Sequence, residues 1–288
     1  MVMNKKHLFL CMGLSALSLF TSCQSDERDL DLAPAAQGES TTGKIVLNLN
    51  ADARFRDQGT TRAVNEDSYR NTANYRVQVY NNDNPGKLIV DDLYSQLDFN
   101  KLSALDPGTY TVKAFYGTEQ NYSRNEFYVE GIKDNVTVNA GDQYNVTLSC
   151  LPTCGKLSVE FDPAMATYYD SYDVAFSQAA AFGGSAISWT ANDTEPWYVK
   201  LAANGETLRY TISLTAKEDY AYTDAQGNKI TNGTVTQKFE LQRNRAYKLK
   251  IKPDYTATTE GGLKVVIEID ESTNQIDVPV VVPIDWLN

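Results

Sequence analysis

Two stretches of the chain, GKIVLNLN at 43–50 and GKLSVEFD at 155–162, decide the predicted fold. In both, apolar side chains occupy every second position, and the side chains between them are polar except for Val46. The apolar positions are Ile45, Leu47 and Leu49 in the first stretch and Leu157, Val159 and Phe161 in the second. Alternation with a period of two is typical of a β-strand that is buried on one face. The sequence therefore predicts two half-buried strands of the same pattern.

Three further segments recur in the same order after each stretch. They are YRVQVY (75–80) and YDVAFS (172–177), GTYTVKAFY (108–116) and LRYTISLTA (208–216), and VNAGDQYNVTL (138–148) and LQRNRAYKLKI (241–251). In the last pair, Tyr144, Val146 and Leu148 are predicted to face inward. The ordered repeat predicts an all-β protein of two tandem Greek-key β-sandwich domains, at 44–151 and 155–288. The alternative is that similar strand composition arose without common origin.

Two more strands are predicted after the second copy, in GGLKVVIEID (261–270) and IDVPVVVPIDWLN (276–288). Pro279 and Pro283 fall in the last one. Because proline cannot donate a hydrogen bond to a neighbouring strand, that strand is predicted to lie at a sheet edge.

The N-terminus has the order of a bacterial export signal. Lys5 and Lys6 precede an apolar run that ends in Thr21, Ser22 and Cys23. The stretch LFTSC (19–23) resembles the lipobox of bacterial lipoproteins, which implies a signal peptide at 1–22 and lipidation of Cys23. The alternative is an ordinary secreted protein with a chance cysteine.

The residues after Cys23 are polar and acidic. Ser25, Asp26 and Glu27 look like the surface-export signal of Bacteroidales lipoproteins, and the alternative is a solvated linker. Residues 23–43 are rich in small and polar residues and cannot form a core, so they are predicted to be a flexible linker.

Charge and histidine content exclude several classes of function. The formal net charge is −11, which argues against nucleic acid and anionic membrane surfaces as partners. The one histidine, His7, lies in the predicted signal. A mature chain without histidine has neither a Ser-His-Asp triad nor a histidine metal ligand, so we expect no enzyme activity, no metal and no cofactor.

The chain also resembles the fimbrillin-like lipoproteins of Bacteroidales, most closely a related lipoprotein family of undefined function. The resemblance is carried by TRA at 61–63, the strand that starts with Pro107 to Tyr110, and Cys150. It implies transthyretin-like sandwiches at the cell surface. It also implies that an arginine-specific protease could cut after Arg54, Arg56 or Arg62, so that the first strand leaves and a neighbour's strand replaces it. The alternative is a solvated arginine loop and a retained strand.

Two residue pairs are candidate sites with a structural alternative. Cys150 and Cys154 form either a disulfide or two buried free thiols. Trp189 and Trp197 form either a ligand platform, since aromatic rings stack on sugars, or part of the core and its rim. Asp162, Asp170 and Asp173 lie among tyrosines and are interpreted as a polar connection rather than a calcium or sugar site.

Together these features predict a non-enzymatic surface lipoprotein of the outer membrane. Its role would be structural or adhesive, as a fimbria-associated subunit or a surface interaction protein. Its partners would be the membrane through the lipid, and other fimbrillin-like subunits or host ligands. The alternative is a glycan-binding lipoprotein of a polysaccharide-uptake system.

Overall fold

The computed structural model describes residues 40–53, 55, 64–85, 87–254, 264–271, 280–283 and 285–286. Regular structure in these ranges is nearly all β-strand, which confirms the predicted all-β sandwich class. The strands up to residue 152 are β1 (Lys44–Ala51), β2 (Arg76–Asn81), β3 (Lys87–Leu93), β4 (Gly108–Tyr116), β5 (Tyr122–Ser123), β6 (Val129–Val138) and β7 (Gln143–Pro152). We call this part of the described chain the N-terminal half.

The C-terminal half begins at residue 153. Its strands are β8 (Cys154–Phe161), β9 (Tyr169–Ser177), β10 (Ile187–Thr190), β11 (Trp197–Lys200), β12 (Gly205–Ala216), β13 (Tyr222–Thr223), β14 (Lys229–Ile230), β15 (Asn232–Gln242), β16 (Ala246–Asp254), β17 (Lys264–Glu271), β18 (Val280–Pro283) and β19 (Asp285–Trp286). One short helix, α1 (Met165–Tyr168), occurs in the described ranges. The 3₁₀ turns are Glu66–Arg70, Thr72–Asn74, Tyr94–Gln96, Phe99–Leu102, Ala180–Phe182 and Glu218–Tyr220.

The N-terminal half is built around a parallel strand pair. Its sheet has the order β1-β7-β6-β4-β2-β3. β1 and β7 run parallel over eight residue pairs, from Lys44 opposite Gln143 to Ala51 opposite Cys150. β7 joins β6 through only two pairs, Val129–Pro152 and Glu130–Leu151. The first and last strands of this half therefore lie side by side, and β1 is an edge strand.

The C-terminal half repeats the parallel pair and surrounds it with more strands. β8 and β16 run parallel from Lys156 opposite Ala246 to Phe161 opposite Ile251. The sheet that contains them has the order β18-β17-β16-β8-β11-β5, so β5 crosses over from the N-terminal half. The second sheet is β10-β9-β12-β15-β19. β18, which ends at Pro283, lies at the edge of its sheet, and Pro279 lies outside the described residues.

The two parallel strand pairs have the same register when equivalent positions of the sequence repeat are compared. Ile45 lies opposite Tyr144 in β7, and Leu157 lies opposite Tyr247 in β16. Gly43 and Gly155 precede these strands at points where no side chain fits. A Cβ at Gly155 would lie 2.6 Å from Leu241 and 2.8 Å from the backbone oxygen of Gln242. A Cβ at Gly43 would meet Val138 and the oxygen of Asn139, which are the corresponding repeat positions.

Two hydrophobic clusters fill the interior. One lies within the C-terminal half and includes Trp189, Phe176 and Leu249. The other includes Ile45 and Leu47 of β1, and it also takes in Cys154, Tyr198 and Ala246 from the C-terminal half. The described residues belong to one compact unit. The division into separate domains at 151 and 155 stays a prediction.

One predicted core residue lies outside the core. Tyr144 is 42% exposed, whereas Val146 and Leu148 of the same strand are buried as predicted. Its repeat counterpart Tyr247 is 3% exposed. Tyr247 is covered because its strand is paired by β17 and its ring packs edge-on against Phe239 at 4.9 Å. Tyr144 stands at the start of a strand with no such neighbour.

Candidate functional site: the first strand and the junction that holds it

β1 bonds to β7 along one edge, and the parity of its residues decides which backbone groups face β7 and which face away from it. The Lys44 N–H donates to the Asp142 oxygen at 2.8 Å, and the Asp52 N–H donates to the Cys150 oxygen at 3.1 Å. Even-numbered residues of β1 thus bond to β7, and odd-numbered residues direct their N–H and C=O outward. On that outer side, Gly43 forms an isolated bridge with Leu105.

An aromatic pair, Tyr94 and Phe99, lies beside the outer edge of β1. The Tyr94 hydroxyl donates to the Leu47 oxygen at 3.4 Å. Its ring meets the Phe99 ring edge-on at a centroid distance of 6.2 Å. Phe99 is 49% exposed. We call these two residues the rim.

The segment that follows β1 is fastened from both halves of the chain. Arg70 donates from Nε to the Ala53 oxygen at 3.0 Å and from a terminal nitrogen to the Phe55 oxygen at 2.8 Å. From the C-terminal half, the Asn244 side chain donates to the Asp52 oxygen at 2.7 Å. These contacts hold the end of β1 at the boundary between the halves.

Phe55 lies in an aromatic cluster at that boundary. Its ring is fully buried, with centroids 5.1 Å from Phe127 and 5.6 Å from Tyr198. Phe127 in turn stacks on Tyr198 at 4.9 Å and on Tyr69 at 3.7 Å. Aromatic pairs of this kind add about 0.5–1.5 kcal/mol each beyond the area that they bury.

A buried ion pair completes the boundary. Lys156 Nζ lies 2.6 Å from Glu66 Oε1, and the Tyr198 hydroxyl donates to the same oxygen at 2.6 Å. The Lys156 and Glu66 side chains are 10% and 5% exposed. Desolvation makes such a pair costly to break, because the remaining charge stays buried. We call Phe55, Glu66, Phe127, Lys156 and Tyr198 the junction.

The two predicted tryptophans meet around Arg124. Arg124 pairs with both carboxylate oxygens of Asp193 at 2.6 Å. Its guanidinium lies 4.5 Å from the Trp197 ring centroid. Trp189 is fully buried, and its indole N–H donates to the Glu195 oxygen at 2.8 Å. In this geometry Trp189 presents no face to a ligand and Arg124 lies over Trp197. A ligand platform at these residues stays a prediction.

Cys150 and Cys154 are free and buried in this structure. The choice between a disulfide and two free thiols stays a prediction. Burial raises the pKa of Cys150 to about 12. Burial also raises the pKa of Cys154 far above its ordinary value. Both thiols are therefore protonated and unreactive at neutral pH.

Several predicted site residues lie outside the described residues. These are Cys23, Ser25, Asp26, Glu27, Arg54, Arg56 and Arg62. The neighbours of Arg54 in the chain, Ala53 and Phe55, are described, and both are buried. Lipidation, export and processing at these residues stay predictions.

Sequence reasoning missed the junction. Lys156 follows glycine just as Lys44 does, and Glu66 lies in the polar stretch NEDSYR, so neither residue carries a signal of burial. Among the described residues, no group of histidine, cysteine and acidic side chains could hold a metal ion. In the same ranges, none of the helices has the length and hydropathy of a membrane span.

An open groove of about 770 Å³ lies beside the junction. Ile132 and Leu151 line it and are 47% and 41% exposed. Arg243 also lines it, but its guanidinium donates to the Leu201 oxygen. Glu130 and Arg245 line the groove as well, and Glu130 pairs with Lys113 at 3.3 Å.

Comparison with protein-family models matches residues 41–284 to the family described as "Domain of unknown function (DUF4493)". The chain belongs to this family. No curated protein matches the sequence. Among solved structures, a fimbrial assembly protein from Parabacteroides distasonis is 12% identical, with 82% of this chain and 97% of that chain covered and a TM-score of 0.38. The fimbrial anchor protein Mfa2 from Porphyromonas gingivalis is also 12% identical, with 81% of this chain and 98% of that chain covered and the same TM-score. Both TM-scores lie below 0.5, and the family description assigns no function.

Proposed function

We propose that this DUF4493 chain is a non-enzymatic structural or adhesive protein of the cell surface, either a fimbria-associated subunit or a surface interaction protein. The observation that carries the proposal is the junction. A subunit that bears mechanical load must not separate at the boundary between its halves. Here a buried ion pair, an aromatic cluster and hydrogen bonds from Arg70 and Asn244 meet at that boundary.

The junction also accounts for the buried charges. Among the charged residues in the described ranges, Glu66 and Lys156 are the buried ones, and their opposite charges are paired. An acid–base catalyst needs groups that face a substrate, and these two face one another within the interior. The proposed role therefore uses them for cohesion rather than for chemistry.

Attachment would come from the N-terminus. A lipid on Cys23 would anchor the chain in the outer membrane, and Ser25, Asp26 and Glu27 would direct it outward. Strand exchange would begin with cleavage after Arg54, Arg56 or Arg62. The cut alone would leave β1 in place, because Ile45, Leu47 and Phe55 are buried and Arg70 holds the backbone of the segment. Release would also require the junction to open.

Metabolic labelling with a palmitate analogue, followed by protease treatment of intact cells, tests this proposal. We expect the chain to carry the label, to be digested from outside, and to run partly as a heat-resistant ladder in detergent gels. Cys23→Ala should lose the label. Label that survives in this variant, or a chain that is protected in intact cells, would contradict the surface anchor. A chain that is anchored but never found with another subunit would contradict the structural role.

A further inference from the structure

We propose that the outer face of the sheet β10-β9-β12-β15 binds an acidic polysaccharide, with Arg209 and Lys238 holding an acid group of the polymer and nearby hydroxyl side chains bonding to its sugars. Such binding gives the surface interaction role of the proposed function, on which it rests, a partner of defined chemistry. The face lies in the second sheet of the C-terminal half and does not include the junction, so either site can fail without the other.

The outer face of this sheet is rich in hydroxyl groups. Along β12 and β15, buried residues alternate with residues that face outward. The outward residues with a hydroxyl on these two strands are Thr207, Thr211, Ser213, Thr215, Thr234 and Thr236. The Thr211 and Thr236 hydroxyls lie 3.2 Å apart across the two strands. Among the described residues of β9, β10, β12 and β15, no large hydrophobic or aromatic side chain is exposed.

Two cations lie directly opposite each other on this face. Arg209 of β12 pairs in register with Lys238 of β15, and both residues are exposed. Opposite pairs of an antiparallel ladder alternate in bonding, and Ala216 and Thr231 form a bonded pair, in which the Ala216 N–H donates at 2.8 Å. Arg209 and Lys238 therefore form a non-hydrogen-bonded pair, in which the Cβ atoms of the two strands approach to about 4.5–5.5 Å.

The cation pair has no acidic partner. In the described part of the chain, neither side chain forms a hydrogen bond or an ion pair. Glu240, two residues along β15, is turned away: its Oε1 accepts from the Gln242 side chain at 3.4 Å and would lie 2.9 Å from a Cβ at Gly205. Asp170 and Asp173 of β9 lie at least four residues further along the sheet, about 13 Å away or more. Two opposite cations repel each other, and a bound anion would remove that cost.

The outer face of the N-terminal sheet also carries cations, but it supplies them with acids. Arg76 pairs with Asp91 at 2.6 Å, and Lys113 pairs with Glu130 at 3.3 Å. The C-terminal face lacks such partners at its cation pair, which leaves both charges available to an anion from outside the molecule.

The composition of the face identifies the class of ligand. Protein-binding surfaces are enriched in aromatic residues and depleted in serine, and single-stranded nucleic acids stack on aromatic rings. Anionic bilayers bind clusters of about four to eight cations. A face with two cations, many hydroxyls and no exposed ring fits none of these. Hydroxyl side chains both donate to and accept from sugar hydroxyls, and guanidinium and ammonium groups bind carboxylates. A polysaccharide that carries acid groups matches both features.

The net charge of the chain restricts how densely the polymer can be charged. A formal charge of −11 repels a polyanion with an acid on every unit, whereas two neighbouring cations are enough for one acid group. We therefore commit to a polysaccharide in which acidic sugars alternate with neutral sugars.

The probe is a hyaluronan decasaccharide, in which each disaccharide carries one carboxylate. Its matched control is the same oligosaccharide with its carboxyl groups reduced to alcohols. Each is titrated at low salt into the full mature chain in its soluble Cys23→Ala form, by calorimetry and by NMR of the threonine methyl groups. We expect saturable binding of the acidic form that weakens as salt is added, and about tenfold weaker binding of the reduced form. The methyl signals of Thr211 and Thr236 should shift, and that of Thr137 in the N-terminal half should not.

Variants locate the binding site. Arg209→Gln and Lys238→Gln should each weaken binding about fivefold, because each removes a charge-assisted hydrogen bond. Arg76→Gln is the matched control, since it changes the net charge equally on the other sheet, and it should leave binding unchanged. Lys238→Glu places a carboxylate opposite Arg209. It should abolish binding and raise the urea midpoint of unfolding, so its loss of binding cannot come from a failure to fold.

Four results would overturn the proposal. They are equal binding of the acidic and reduced oligosaccharides, equal losses in Arg209→Gln and Arg76→Gln, binding that persists in Lys238→Glu, and tighter binding to phosphatidylserine vesicles or to a polyglutamate peptide than to the oligosaccharide. The last result would assign the face to a membrane or to an acidic polypeptide. A chain that binds the oligosaccharide but is protected in intact cells would contradict the proposed function alone, and a surface-exposed chain that does not bind would contradict this site alone.

Discussion

The dipeptide Gly-Lys occurs at the start of the parallel strand pair in both halves of the molecule. Its lysine is exposed in one half and buried in the other. Lys44, after Gly43, is exposed at the first position of an edge strand. Lys156, after Gly155, is buried and paired with Glu66. The difference arises from the neighbours, because β8 is flanked by β16 and β11 whereas β1 is flanked by β7 alone. One repeated strand thus lies inside its sheet in one half and at the end of its sheet in the other.

The comparison shows how a duplicated fold divides its tasks. The C-terminal half closes its parallel pair with β11, β5, β17 and β18. The N-terminal half pairs β1 with the single strand β7 and fixes its far end through Phe55 and Arg70. Strand pairing therefore holds β8 on both sides and β1 on one side.

The largest expected effect on the free energy of unfolding comes from replacing the buried lysine, compared with the same replacement of the exposed lysine. Lys156→Met leaves the Glu66 carboxylate buried without its cation, and it should lower the free energy of unfolding by about 3–5 kcal/mol. Lys44→Met, at the repeat counterpart, should change it by less than about 0.5 kcal/mol. Urea unfolding of both variants, followed by tryptophan fluorescence, measures the difference.

A double variant separates loss of the ion pair from loss of packing. Adding Glu66→Leu to Lys156→Met removes the stranded charge and should recover much of the stability. Equal stability of the Lys44 and Lys156 variants would show that the two positions have the same environment and would refute the contrast.

A smaller effect is expected at the two glycines. Gly155→Ala places a methyl group against Leu241 and the Gln242 oxygen in a strand held on both sides, so we expect a loss of about 2–3 kcal/mol. Gly43→Ala meets a similar clash, but β1 is paired with one strand only and can shift more easily than β8, so the loss should be about 1 kcal/mol. Thermal or urea unfolding gives the order. A larger loss for Gly43→Ala would mean that β1 is held as firmly as β8.

The smallest effect on stability at neutral pH concerns the thiols on either side of the boundary between the halves. Cys150 and Cys154 should resist maleimide at pH 8 in the folded chain and react fully in denaturant. Burial raises the pKa of Cys150 from 9.0 to about 12, so the folded state holds its proton more tightly than the unfolded state. The resulting stability is complete below pH 9 and is lost as the pH rises towards 12. Thiols that stay unreactive in denaturant until a reductant is added would instead reveal a disulfide.

Much of the fold could be predicted because strand periodicity is a local property. Ile45, Leu47, Leu157 and Val159 are buried as their alternation indicates. The prolines of the last segment also place it correctly, because a missing N–H acts at its own position. Such features need no knowledge of the neighbouring strands.

Other features depend on contacts far along the chain and could not be predicted. Period-two alternation does not specify that β1 and β7 run parallel. Tyr144 and Tyr247 have the same pattern but different neighbours, and only Tyr247 is buried. Lys156 meets Glu66 from ninety positions earlier, and no local signal marks either residue. The junction, which carries the proposed function, therefore became visible only in three dimensions.

β5 belongs to the N-terminal half but pairs with β11 in a sheet of the C-terminal half. This pairing has a consequence for the order in which the chain can fold during synthesis. Tyr122 and Ser123 pair with β11, and Arg124 bonds to Asp193, so these residues must wait for a segment that the ribosome makes about seventy residues later. Until then, the Arg124 guanidinium lacks the Asp193 carboxylate with which it pairs, and Phe127 lacks the Tyr198 ring on which it stacks. The N-terminal half can form its strands early, but its final packing is set only when the C-terminal half arrives.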